Sequence, residues 1–142
     1  MWYAILGAVL LAGDQILKYW VVTHLAVGES APFLPGFMQL TRLHNYGAAW
    51  SSLSGRTVLL VVFTAVLLAA VALLLIKKVV RHWTGITACT LILSGGIGNI
   101  IDRIVHGYVV DMFDLQLFSY PVFNLADCCV VVGAILGGIY YL

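Results

Sequence analysis

Thr57–Ile76 runs for twenty residues without an ionisable side chain. A helix of that length just covers the ~30 Å of hydrocarbon in a bilayer. Within lipid every backbone N–H and C=O must be paired, and this run lacks the alternation of a barrel strand. A membrane helix is the form that remains. Trp2–Leu25, Trp83–Ile104 and Val122–Leu142 have the same apolar character with a few polar inserts. Together they predict an all-α membrane protein, a bundle of four transmembrane helices in a single domain over residues 1–142. Composition agrees: 63% of residues are hydrophobic and 9% charged, against about 25% charged in soluble domains. The few basic residues form no stripe suited to nucleic acid. Met1–Gly13 has no basic flank like that of a cleaved signal peptide, so it reads as part of the first span.

Lys77, Lys78 and Arg81 cluster with His82 in the short turn between the second and third spans. The positive-inside rule puts that turn in the cytoplasm, and four crossings then put both termini there. Connections 26–56 and 105–121 face outward, although Arg42 and Arg56 weaken the charge asymmetry. In the first, Phe37–Leu43 alternates apolar and polar residues and predicts a small sheet on the membrane surface. The second, around Asp111–Phe118, reads as a short interfacial helix or loop. No internal repeat is visible, whereas many transporters are built from repeats. Cys89, Cys128 and Cys129 all fall in apolar runs and read as small buried hydrophobes. His24 and His44 lack metal-ligand spacing, and Ser94 stands in no nucleophile elbow. No metal and no cofactor are expected.

Against this background four aspartates stand out: Asp14, Asp102, Asp111 and Asp127. An acid near a bilayer centre costs ~2.5–3.5 kcal/mol on insertion scales, so such groups are paired, face a cavity and serve a function. Asp14 and Lys18 are four apart, acid first, the favourable order for an ion pair that neutralises two buried charges. Asn99, Asp102, Arg103 and His106 fall on one helical stripe, preceded by Gly95, Gly96 and Gly98, which allow close approach of a helix or an extended substrate. Asp102 and Arg103 read either as a salt-bridged helix end or as part of a site. Arg103 is the stronger candidate, able to hold a lipid or peptide carbonyl, while His106 marks the interface. Asn124 and Asp127 share a face of the last helix, and Asp127 is its one acid. Gly133 and Gly137 form a packing pair. Asn45, before Tyr46-Gly47, is on its own a turn residue.

Asp111 and Asp127 are sixteen residues apart and sit where the last span begins. Two carboxyls held close cannot both ionise easily, so they share a proton. The ionised one can take a proton from water, and the neutral one can hydrogen-bond a scissile carbonyl and later help protonate the leaving amine. Such a pair titrates as a unit. Read from the residues alone, two other classes stay open. One is a small proton-coupled transporter in which Asp14 and Asp127 relay protons. The other is a scaffold whose acids only satisfy buried partners.

Five strings taken together resemble the lipoprotein signal peptidase (signal peptidase II) family. They are Asp14-Gln15-x-x-Lys18, Asn45-x-Gly47-Ala48-Ala49, Gly95-Gly96-x-Gly98-Asn99-x-x-Asp102-Arg103, Val109-Val110-Asp111 and Phe123-Asn124-x-Ala126-Asp127. They fall in the family's order and cover nearly the whole chain. The resemblance implies a four-helix inner-membrane aspartyl endopeptidase with a small outward β-cradle. Its substrate would be a diacylglyceryl prolipoprotein, cut just before the lipidated cysteine. It implies that Asp111 and Asp127 are catalytic and that Asn45, Asn99, Arg103 and Asn124 bind substrate. Asp14, Lys18 and Asp102 fall to structural or near-site polar roles. A monomer in contact with membrane lipid, its active site towards the outer leaflet, is expected. Trp50, Met112 and Cys128-Cys129 depart from the family pattern as packing changes, and Asp114 is an extra acid outside the matched strings.

Overall fold

The computed structural model describes residues 1–47, 53 and 55–142. Four helices and three strands follow one another as α1 (Trp2–His24), β1 (Ser30–Leu34), β2 (Met38–Asn45), α2 (Thr57–Ile76), α3 (Trp83–His106), β3 (Val109–Leu115) and α4 (Leu125–Tyr141). Helices α1, α2 and α3 are long and apolar enough to cross a membrane, whereas α4 has seventeen residues and is shorter. Half of α3's most apolar stretch is buried, against 17% in α1 and 11% in α2. The other three helices therefore pack around α3 and turn their apolar outer sides outward.

Glycine makes α3 the centre. A Cβ at Gly95 would run into the carbonyl oxygen of Ala126 on α4, and one at Gly98 would stand 2.8 Å from Asp14 Oδ2 on α1. Backbone-to-backbone approach of this kind stands in for the hydrophobic driving force that lipid removes. The obstacle at Gly95 is backbone and cannot rotate away. Gly95→Ala is therefore expected to lower stability in detergent by about 1–3 kcal/mol. Gly138→Ala, whose Cβ would meet nothing within 4 Å, serves as the control and should not lower it. Equal unfolding midpoints for the two variants would contradict this packing.

The sheet runs β1-β2-β3, antiparallel throughout. In β2–β3, Asn45 pairs with Val109 and Leu43 with Asp111, with a bulge between Leu40 and Leu43. Arg42 Nη1 donates to the carbonyls of Val22 (3.0 Å) and Leu25 (2.9 Å), joining the sheet to the C-terminal end of α1. Val21, Leu25, Val110 and Met112 form the buried core between α1 and the sheet.

Three boundaries differ from the sequence reading. The segment expected as an interfacial helix or loop is a strand, β3. Its first four residues are all buried, so the alternation that reveals a half-exposed strand is missing. Helix α3 continues past Ile104 to His106 and stops at Gly107, which takes the left-handed φ of 81° that ends a helix readily. Helix α4 begins at Leu125, not Val122, because Phe123 pairs backbone-to-backbone with Phe113 and Asn124 caps the helix.

Candidate active site

Asp111 lies in β3 and Asp127 in the first turn of α4, and one residue links them. Asn124 Nδ2 donates to Asp111 Oδ1 at 2.8 Å, while the Asn124 backbone N–H donates to Asp127 Oδ2 at 3.2 Å. Asn124 Oδ1 in turn accepts the Asp127 N–H at 2.8 Å, closing a capping box. The local sequence Asn-Leu-Ala-Asp thus starts a helix and aims a carboxyl in one stroke. Both carboxyls open onto a cavity of about 510 Å³ that Asn45, Asn99 and Arg103 also line. The remaining wall is largely apolar, with Leu67, Tyr120, Phe123 and Val130 among its residues.

Each carboxyl has its own amide. Asn45 Nδ2 donates to Asp111 Oδ2 at 3.0 Å, and Asn99 Nδ2 donates to Asp127 Oδ1 at 2.8 Å. The Asn99 amide is orientated by its other end, where Oδ1 accepts from Lys18 Nζ and Asn124 Nδ2, each at 3.1 Å. Arg103 Nη2 donates to the Gly47 carbonyl at 2.9 Å, fixing the chain that leaves β2 at the cavity's edge. Asn124 itself is fully buried and does not line the cavity. It lies behind the two carboxyls, joined to both by hydrogen bonds.

The other acids form a second layer. Lys18 Nζ lies 2.8 Å from Asp14 Oδ2 and 3.0 Å from Asp102 Oδ2, all three side chains being at most 5% exposed. Asp102 thus pairs with Lys18 and not with its neighbour Arg103. Gln15 Nε2 donates to both acids at 3.2 Å. The outer lone pairs of the acids are used as well: Asp14 Oδ1 accepts the Ala126 N–H at 2.9 Å, and Asp102 Oδ2 accepts the Val110 N–H at 3.0 Å. Each of these carboxylates grips the backbone N–H of the residue directly before Asp127 or Asp111. Gln15 lies in the first of the five family strings, where the resemblance implies no role for it. Its i, i+3 relation to Lys18 across one helix face was the available signal.

Asp114 belongs to the sheet. Its Oδ2 accepts from Gln39 Nε2 (2.7 Å) and Thr41 Oγ1 (3.1 Å), away from the cavity lining. His106 is exposed and stacks on Tyr108. Cys89 and Cys129 are buried and Cys128 half-buried, all three as free thiols. Ala48, Ala49 and Trp50 lie outside the described residues.

Electrostatics separate Asp111 from an ordinary carboxyl. Burial first, and the charge of Asp127 second, raise it to about 7, against the opposing pull of the Asn45 and Asn124 hydrogen bonds and Lys18. A carboxyl that keeps its proton near neutrality can donate a hydrogen bond while its partner accepts one.

Comparison with known proteins gives a consistent picture. The Peptidase_A8 family, described as signal peptidase (SPase) II, matches residues 6–142. A lipoprotein signal peptidase of Enterococcus faecalis is 41% identical over 97% of this chain and 86% of its own length. One of Streptococcus pyogenes is 43% identical over 89% of this chain and 84% of its own. Among solved structures, one bacterial membrane enzyme superposes with a TM-score of 0.92 at 33% identity, covering 98% of this chain and 86% of that one. A second gives 0.90 at 34% identity, covering 99% and 92%.

Proposed function

The chain belongs to the signal peptidase II family, and from that membership we propose that Asp111 and Asp127 are the dyad with which it works. It is an aspartic protease of the bacterial inner membrane that removes signal peptides from prolipoproteins. The transporter reading finds no support among the relatives. Asp14, its supposed relay partner for Asp127, is instead held by Lys18 and the Ala126 N–H. The observation that carries the dyad is that two carboxyls, tied through Asn124, open onto one cavity.

The ionised carboxyl takes a proton from water as the water oxygen bonds to the scissile carbonyl carbon. The protonated carboxyl donates to the carbonyl oxygen, giving a tetrahedral diol. On collapse the C–N bond breaks, one diol hydroxyl returns its proton to the carboxyl that gave it, and the amine nitrogen receives the proton taken from water. Asn45 and Asn99 each donate to one carboxyl and hold its plane towards the cavity. Arg103 fixes the chain beside the bound peptide.

The apolar wall suits a diacylglyceryl group on the residue after the cut, with the signal peptide's own helix continuing into lipid. Helix α4 serves as the fourth span. Its seventeen residues reach roughly 25 Å at 1.5 Å each, which is within tolerance of a bilayer that adjusts to mismatch. The basic turn 77–82 faces the cytoplasm, both termini lie on that side, and the dyad stands at the outer leaflet. The chain acts as one domain and as a monomer.

The pH profile tests the dyad. Asp111 is raised to about 7, so its proton is present below that value and lost above it. Once both carboxyls are ionised no acid remains to donate to the carbonyl. The expected kcat/KM falls tenfold per pH unit above roughly pH 7, measured on a diacylglyceryl prolipoprotein in detergent. A rate that climbs steadily from pH 7 to 9 would remove the shared proton from the mechanism.

A further inference from the structure

At the opposite end of the bundle from the dyad, α1 and α2 both lie against α3 and leave a groove of about 680 Å³ between them. Its floor is one stripe of α3, from Ile86 through Thr90 and Leu93 to Ile97. Its side is α1, where Ala4 and Ala8 carry one methyl each and leave the space open, while Gly7 lets α1 close onto Thr90 of the floor. Thr90 closes its own hydroxyl on the Ile86 carbonyl at 2.8 Å, so the floor presents little that is polar. From Ile86 to Ile97 is eleven residues (97 − 86), roughly 16 Å of helix at 1.5 Å each. That matches the ~15 Å depth of one leaflet's hydrocarbon.

The mouth of the groove is cationic. Lys78 and Arg81 both line it, and among the described residues neither has a carboxylate partner. The turn that carries them is tightly built. Lys78 adopts a left-handed backbone (φ 53°), and Arg81 Nε donates to the Lys78 carbonyl at 2.9 Å. Both residues are thereby placed at the same rim, above an apolar slot one leaflet deep.

We propose that this groove is a binding site for an anionic phospholipid, with an acyl chain lying on α3 between α1 and α2 and the phosphate against Lys78 and Arg81. The charges select the headgroup and the small residues of α1 admit the chain. The site is separate from the substrate cavity, which none of these residues lines.

The test is native mass spectrometry of the purified full chain in detergent, after incubation with equal amounts of phosphatidylglycerol and phosphatidylcholine bearing identical acyl chains. Wild-type protein should retain one phosphatidylglycerol with a preference of roughly tenfold or more, as expected from two cations near a headgroup. The double variant Lys78→Gly, Arg81→Gln removes both charges, and glycine suits the left-handed position. It should lose the preference. Ala8→Phe fills the slot and leaves the charges, and should lower retention of both lipids at least fivefold. Cleavage of prolipoprotein in detergent shows that each variant is folded, and if one is not, the other decides. Equal retention of the two lipids by wild type, or undiminished phosphatidylglycerol on a folded variant, overturns the proposal.

Discussion

Asp111→Asn and Asp127→Asn should each slow prolipoprotein cleavage by about 10³-fold or more, while the protein still inserts and folds. The substitution keeps the shape of the side chain and removes its ability to exchange a proton. At position 127 the new amide oxygen can still accept the Asn124 N–H that begins α4, so the helix start survives. Its NH2 then faces the Asn99 amide, which Lys18 prevents from turning, and one hydrogen bond worth about 1 kcal/mol is lost. At position 111 the balance runs the other way. The folded state raises this carboxyl to about 7, so above that pH it holds a buried charge that the unfolded chain would hold in water. The raised value means stability that is present at low pH is lost as pH rises. A shift of about 3 units corresponds to about 4 kcal/mol of penalty at pH 8, an order-of-magnitude figure. Asp111→Asn should therefore unfold at a higher temperature than wild type at pH 8 and show little gain at pH 3, below the carboxyl's unfolded value. Either variant cutting within tenfold of wild type would strike that residue from the dyad.

The sequence made the membrane helices and the acids legible for different reasons. Thr57–Ile76, Trp2–Leu25 and Trp83–Ile104 announced themselves by length and high apolar content, which is a one-dimensional property. Asp14–Lys18 was readable because both residues lie on one helix and their spacing alone brings them together. Asp102 was not, because its partner is on α1, 84 positions earlier, and the adjacent Arg103 was the nearer guess. β3 was misread because burial on both faces erases the period of two. Asn124 shows the finer limit. Its spacing to Asp127 reads as a shared helical face, yet the same spacing is that of a capping box, in which the residue is buried and does not line the cavity. Pattern shows which residues belong together, whereas burial decides which of them touch the cavity.

Lys18→Met should be the most destabilising single change outside the dyad, at about 3–5 kcal/mol. Among the described residues Lys18 is the one cation between Asp14 and Asp102, both nearly inaccessible to water. Removing it strands two carboxylates in a medium that solvates them poorly, a larger penalty than the triad's net value. The triple variant Asp14→Asn, Lys18→Met, Asp102→Asn should for that reason be more stable than Lys18→Met alone, since its amides still accept the Ala126 and Val110 N–H groups. Unfolding midpoints in detergent at neutral pH measure both, and a triple variant no better than the single one would mean that Lys18 acts by packing. The pair also gives a readout that stability does not. Lys18 lowers the Asp111 carboxyl through its charge and orientates Asn99 against Asp127. In the triple variant the two carboxyls keep their backbone grips but lose that cation and that orientation. Its kcat should drop more than its KM rises, with the alkaline fall in rate moved to higher pH. A dyad that depended on α1 only for its fold would instead recover wild-type kcat along with the stability.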